Sequence, residues 1–182
     1  YNEDEDATPI SATAVPTPVP TFEAPSGTTN ILLLGSDTPL GQDDTRTDTI
    51  IIASINSDGP TASIVSIPRD LFVYIPGWTM TRINSAYEHG ERKDYPDGGI
   101  GLLKQTILYN FGIPIHYYAR VDFNGFQGVV DAMDGVDLAV SCEFTDWRLK
   151  SPELDVEDPE NWEPYTLAPG MHHLDGDLAL WY

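Results

Sequence analysis

Asp37, Arg46, Asp48 and Arg69 share one property: each stands at the polar end of a short apolar run. Residues 30–34 lead through Gly35 and Ser36 into Asp37, and the run 49–55 is preceded by Thr45-Arg46-Thr47-Asp48. The run 61–67 is followed by Pro68-Arg69-Asp70. Carboxylates are the oxygen donors Mg²⁺ prefers, one or two at a time with substrate phosphates completing its shell. Guanidinium forks match phosphate oxygens, each charge-assisted bond contributing roughly 1.5 to 3 kcal/mol. Two of each at one rim would suit a divalent cation and a phosphate. The same residues would also serve as plain rim salt bridges, Arg46 with Asp48 or Asp44 and Arg69 with Asp70.

The elements that must bring them together are strands. The runs 31–34 and 49–55 are apolar, β-branched and bounded by Gly or polar residues, which predicts strands buried on both faces. Asn56-Ser57-Asp58-Gly59-Pro60 is a turn cluster, so 49–55 and 61–67 are expected to pair as an antiparallel hairpin. Between residues 30 and 90 the basic residues are Arg46, Arg69 and Arg82 alone, each beside a predicted element end.

The chain has 182 residues, with 9 Lys and Arg against 29 Asp and Glu, a formal charge of −20. That length suffices for a buried core. The balance argues against nucleic acid, whose backbone calls for clustered Lys and Arg. An anionic substrate would be repelled without a basic pocket and a metal to neutralise it. Cys142 is the one cysteine, so no intramolecular disulfide forms; at an apolar-to-acidic junction it reads as structural. No apolar run is long enough to cross a bilayer.

Residues 1–29, acidic and then rich in Thr and Pro, read as a disordered linker, and 30–182 as the folded domain. Residues 77–81 read as a loop and 82–90 as a short helix ending at Gly90. Ile100, Leu103, Ile107 and Phe111 recur at helical spacing up to Gly112. A strand is expected over 115–121. A helix capped by Asp122 follows, burying Phe123, Phe126, Val130 and Met133, then a strand over 136–140. Residues 143–164, acidic and with three prolines, read as a long loop. Residues 166–170 suggest a short strand and turn, and a helix capped by Asp175 closes the chain. Interleaved strands and helices predict an α/β fold, a mixed central β-sheet with helices on both faces. His89, His116, His172 and His173 lack a metal-ligand spacing and receive no catalytic role.

In this order the chain carries Ile31-Leu32-Leu33-Leu34-Gly35-Ser36-Asp37, Arg46-Thr47-Asp48-Thr49, Ser66-Ile67-Pro68-Arg69-Asp70, Arg82-Ile83-Asn84-Ser85-Ala86-Tyr87, the segment 118–126, Val130-Asp131-Ala132-Met133-Asp134-Gly135-Val136 and Leu174-Asp175-Gly176-Asp177-Leu178-Ala179-Leu180. The succession, over about 150 residues, resembles the LytR-CpsA-Psr family of bacterial cell-envelope proteins. The resemblance implies an α-β-α sandwich and a Mg²⁺-dependent phosphotransferase. It would move a glycopolymer phosphate from a polyprenyl-pyrophosphate carrier onto peptidoglycan, with pyrophosphatase activity possible in the family. It implies that Asp37 and Asp48 attend Mg²⁺, that Arg46 and Arg69 bind pyrophosphate, and that Arg82 stands where the family has Lys or Arg. One aspartate would help take the proton from the attacking hydroxyl. It further implies a domain on the outer face of the cytoplasmic membrane, held by an N-terminal helix that this chain lacks.

A carrier lipid needs an apolar slot. Ile100, Leu103, Ile107, Phe126 and Val130 are the candidates to line it, and equally the residues of an ordinary helix core. The family continues past the position of Tyr182 into two further arginines separated by one residue, so the chain reads as C-terminally incomplete. That leaves an alternative, a catalytically impaired carrier-binding or scaffold module. A transcriptional role, suggested by the family's older naming, does not suit so acidic a chain.

Overall fold

The computed structural model describes residues 15–36, 47–151 and 154–182. They form two compact units, the first holding residues up to 34 and 47–119, the second residues 35–36 and 120 onward. The architecture is the expected mixed α/β one, with a central mixed sheet and helices.

β1 (Thr28–Gly35), β2 (Thr49–Asn56) and β3 (Thr61–Ile67) occupy the predicted runs. β2 and β3 pair antiparallel, from Ile50 opposite Ile67 to Asn56 opposite Thr61. The turn closes there because the Asn56 side-chain oxygen accepts from the amides of Asp58 and Gly59, both at 2.9 Å. With β6 (Tyr117–Val121) the strand order is β3-β2-β1-β6. Burial on both faces is not what these strands show. Leu32, Leu34, Ile50 and Ile52 are buried whereas Leu33 and Ile55 are exposed, so in β1 and β2 alternate residues face one core, while β3 exposes both Ile64 and Val65 and buries only Ile67.

That core gathers Leu32, Leu34, Ile50, Ile52, Ile83, Leu102, Leu103 and Ile107 with their neighbours. α2 (Gly98–Phe111) fills the expected helical stretch and ends at Gly112, whose φ of 70° is the left-handed stop that glycine adopts without strain. The helix expected over 82–90 is displaced. Arg82 instead closes the hairpin of β4 (Phe72–Tyr74) and β5 (Met80–Arg82), opposite Phe72, and residues 75–79 form its loop. α1 (Ser85–Arg92) starts three residues later and runs through Gly90. Gly90 is kept for contact rather than termination: a Cβ there would lie 2.7 Å from the Gly99 Cα, and one on Gly99 would lie 2.3 Å from the Tyr87 carbonyl oxygen. Two helices therefore meet backbone to backbone.

Asn30 is buried and fully used. Its amide donates to His116 Nδ1 at 2.9 Å, its side chain donates to the Pro114 carbonyl at 2.8 Å, and its side-chain oxygen accepts from Ser54 at 2.7 Å. His116 is thus a structural partner of β1. The Pro/Thr tract from residue 15 onward is extended and exposed, and it is pinned to the end of α2 by Val19 N–H to the Tyr109 carbonyl at 2.9 Å and Phe22 N–H to that of Gly112 at 2.7 Å.

In the second unit α3 (Phe123–Ala132) is capped as expected, Asp122 accepting from the Gly125 amide at 2.7 Å. Its predicted buried face is corrected: Val130 is buried, but Phe123, Phe126 and Met133 are exposed. Its packing instead brings Gly176, at the start of α4 (Gly176–Trp181), close to Gln127, so the side of α3 away from that contact stays open among the described residues. α4 is capped by Asp175, which accepts from Leu178 N–H at 2.8 Å, and Asp131 accepts from Gly176 N–H at 2.7 Å. β7 (Val136–Val140) pairs antiparallel with an unexpected β10 (Gly170–Leu174). The acidic segment is likewise not a loop. β8 (Phe144–Leu149) and β9 (Trp162–Leu167) form an antiparallel hairpin, and the Trp181 indole donates to the Trp147 carbonyl at 2.9 Å.

Candidate functional site

Three of the charged residues singled out by sequence lie together in the first unit. Asp48 immediately precedes β2, and Arg69 follows β3 by two residues, so both stand at the open end of one hairpin, just beyond the pair Ile50 and Ile67. Their side chains form an ion pair. Arg69 Nε also lies 3.7 Å from Asp70 Oδ2, and Asp70 Oδ1 lies 3.3 Å from an Arg82 terminal nitrogen. Asp70 therefore bridges the two arginines.

Backbone bonds hold this geometry. Asn84 N–H donates to the Arg69 carbonyl at 3.2 Å, and Ile83 N–H to that of Leu71 at 2.9 Å. The segment carrying Arg69 and Asp70 is thereby laced to the end of β5, which carries Arg82. Both guanidiniums stay more than half exposed, so their unused N–H groups can reach a ligand in solvent. Asp48, through its hydrogen bond and charge and with help from Asp70, pushes the Arg69 guanidinium above the usual arginine range. Arg69 is a permanent cation here.

Thr47 adds a feature that sequence reading passed over. It is fully buried, and its hydroxyl makes no hydrogen bond among the described residues. Asp37 and Arg46 lie outside the described residues. The rim-bridge reading is realised in altered form: Arg69 takes Asp48 as its close partner and Asp70 as a looser one.

In the second unit Arg120, on β6, donates to the Ser36 hydroxyl at 3.2 Å, and Ser36 N–H donates to the Val121 carbonyl at 3.1 Å. Ser36 is the residue before Asp37. Arg120 was not among the sequence candidates, although a lone arginine one residue before the end of the strand Tyr117-Tyr118-Ala119-Arg120-Val121 is a signal that could have raised it. Of the residues expected to line a lipid slot, Ile100, Leu103, Ile107 and Val130 are packed into buried positions, and Phe126 is exposed. The remaining histidines have local partners: His172 meets the Ala168 carbonyl at 2.7 Å, His173 meets Asp137 at 2.8 Å, and His89 stacks on Trp78. Cys142 is exposed.

The chain is 46% identical over 116 residues to a polyisoprenyl-teichoic acid–peptidoglycan teichoic acid transferase TagU of Oceanobacillus iheyensis, a match covering 64% of this chain and 35% of that protein. Its fold is similar to the crystal structure of TagV from B. subtilis, with a TM-score of 0.64, 27% identity and coverage of 87% of this chain and 56% of the other. It is also similar to the LytR-CPS2A-psr family protein YwtF (TagT) with bound octaprenyl pyrophosphate, with a TM-score of 0.62, 27% identity and coverage of 91% and 61%. The chain thus spans about a third of that curated relative and under two thirds of these solved chains. The LytR_cpsA_psr family pattern matches residues 2–182. Motif order and fold agree with that match, and the chain belongs to the LytR_cpsA_psr family.

Proposed function

We propose that the protein carrying this chain transfers a glycopolymer phosphate from a polyprenyl-pyrophosphate carrier to peptidoglycan, on the outer side of the cytoplasmic membrane. The observation that carries the reading is the pair Arg69 and Arg82, exposed and held side by side through Asp70. In a chain of charge −20, two adjacent fixed cations make a local site for a diphosphate that the rest of the surface would repel. The solved TagT with octaprenyl pyrophosphate, and the transferase name of the TagU relative, point the same way.

Chemically, an acceptor hydroxyl oxygen bonds to the phosphorus that carries the glycopolymer. The bond from that phosphorus to the bridging oxygen breaks, polyprenyl phosphate leaves, and the hydroxyl proton passes to a base. Arg69 and Arg82 would neutralise the charge that builds on the non-bridging and leaving oxygens, most effectively if already in place before reaction. Asp48 and Asp70 are the described carboxylates beside these groups, and either could take the proton.

Mg²⁺ fits the donor chemistry. Asp48 offers a carboxylate, Thr47 beside it has a buried hydroxyl with no hydrogen-bond partner among the described residues, and Mg²⁺ needs only one or two protein carboxylates when phosphates complete its shell. Asp48, with Asp37, would hold the ion, which supplies Lewis-acid stabilisation of phosphoryl oxygens. No helix of the described residues is long and apolar enough to cross a membrane, so the anchor is part of the proposal.

The test is binding of geranylgeranyl diphosphate and Mg²⁺-dependent phosphate release, in wild type and Arg69→Ala. Saturable binding and release that fall at least 10-fold in Arg69→Ala support the reading. Binding without release would favour a carrier-binding module. Binding unchanged in Arg69→Ala would remove the diphosphate from this site.

A further inference from the structure

A second concave site lies on the same unit and is not used by the chemistry above. A cavity of about 560 Å³ is lined by Pro76, Trp78, His89, Lys93 and Tyr95 with their neighbours. It sits in the range of small-ligand sites, and its mixture of aromatic faces with a few polar groups is what such sites use for orientation. Trp78 is carried on the loop of the β4–β5 hairpin, fixed by Trp78 N–H to the Ile75 carbonyl at 3.0 Å and Ile75 N–H to that of Thr79 at 2.9 Å. One face of its indole lies on the His89 ring, with centroids 3.8 Å apart and planes within 2°. The residue is still 44% exposed, so part of the stacked indole remains accessible at the cavity it lines.

A partly exposed indole, oriented by its stack on His89 and lining one cavity with a cationic side chain, suits one kind of ligand. A pyranose ring presents a face of C–H groups that packs on an aromatic face, while its hydroxyls hydrogen-bond at the edges. Lys93, exposed at the cavity, adds a donor for a carboxylate. Burial first, and then the charges of Lys93 and Arg92, hold the His89 imidazole below the usual histidine range despite Glu88. Glu88 is itself engaged by Arg92 at 3.0 Å. The stacked imidazole is therefore neutral at pH 7, and the stack does not repel Lys93.

The hairpin also sets the distance. Arg82 closes one end of it, opposite Phe72, and Trp78 lies in the loop at the other. Four residues at about 3.3 Å each place the two no more than roughly 13 Å apart along the backbone, within reach of a short saccharide.

We infer that the Trp78–Lys93 cavity is a binding subsite for a carboxylate-bearing sugar strand, the acceptor in the transfer proposed above. The inference rests on that reading for the ligand's role, though not for its binding. A polyol phosphate chain is a poorer match, because it offers charge without a ring to stack.

The test uses soluble disaccharide-peptide fragments released from peptidoglycan by a muramidase, titrated calorimetrically into the 182-residue chain without carrier lipid. Saturable binding is expected, weakened at least 10-fold in Trp78→Ala and several-fold in Lys93→Gln, with an oligomer of glycerol phosphate binding far more weakly. Wild-type affinity in either variant, equal affinity for the glycerol phosphate oligomer, or no saturable binding by the wild type overturns the assignment. Lys93 is exposed, so Lys93→Gln stays interpretable whether or not Trp78→Ala folds. With no diphosphate in the cell, failure here is distinct from failure of the carrier-binding experiment.

Discussion

Arg69 and Asp48 form an ion pair across the open end of the β2–β3 hairpin, two positions beyond the last cross-strand partners, Ile50 and Ile67. The pair is therefore set by strand register, and a ligand that engages Arg69 meets a guanidinium whose backbone is already fixed.

Replacing Arg69 with Lys keeps the charge and removes the planar fork. Loss of one bidentate contact corresponds to roughly 1.5 to 3 kcal/mol, about 10- to 150-fold in affinity. Calorimetric titration of geranylgeranyl diphosphate into Arg69→Lys should show weakening in that range, while thermal melting should barely move, because exposed ion pairs contribute only about 0 to 1 kcal/mol. A large loss of stability with unchanged affinity would show that the pair serves the fold instead.

His89 makes stability depend on pH with a definite sign. Burial and the nearby Lys93 and Arg92 lower its affinity for a proton in the folded state. The unfolded chain then binds more protons as pH falls through the ordinary histidine value near 6.5, so this contribution is present above that pH and lost below it. Urea midpoints measured from pH 5 to 7.5 should rise with pH more steeply in wild type than in His89→Gln.

His173 works in the opposite direction. It stands opposite Asp137 in the β10–β7 ladder, and their hydrogen bond raises its proton affinity. Its contribution is full below the unfolded value and disappears as pH rises through the higher folded value. The ring-proton titration of His173 by NMR should have its midpoint above that of an ordinary histidine, and Asp137→Asn should bring it down.

Gly99→Ala should destabilise the first unit. A Cβ there would sit 2.3 Å from the Tyr87 carbonyl oxygen, which is backbone and cannot swing aside. Overpacking of this kind costs about 1 to 3 kcal/mol, a fall of several degrees in Tm for a domain of this size. Gly59→Ala, in open space on the β2–β3 turn, is the control.

The strands β1 to β3, helix α2 and the Asp122 and Asp175 caps were legible because each is specified locally, by an apolar run, a turn cluster or a capping side chain. The hairpin β8–β9 was not. Its acidic residues and Pro164 read as loop, and what makes it strand is pairing between segments far apart in sequence, Phe144 with Leu167 and Leu149 with Trp162. β10 was hidden for the same reason, since His172 and His173 acquire strand character from β7. The exposed face of α3 follows a sound helical period, yet period tells which residues share a side and not what covers it. At the site, the types and positions of Asp48, Arg69 and Arg82 could be read from their places at element ends. Asp70 as a bridge could not, because it depends on the β4–β5 hairpin bringing Arg82 back beside it. Asp37 and Arg46 lie outside the described residues.

The exposure of β3 bears on how the protein behaves at high concentration. Ile64 is 74% exposed and Val65 48%, on the outermost strand of its sheet, and such an edge is a template for strand addition by another chain. What opposes it is mutual repulsion between molecules of charge −20, and that repulsion shortens from a range of about 30 Å at 0.01 M salt to about 3 Å at 1 M. Colloidal stability is accordingly set by ionic strength, with dilute buffer keeping the chains apart and concentrated salt letting their edges meet.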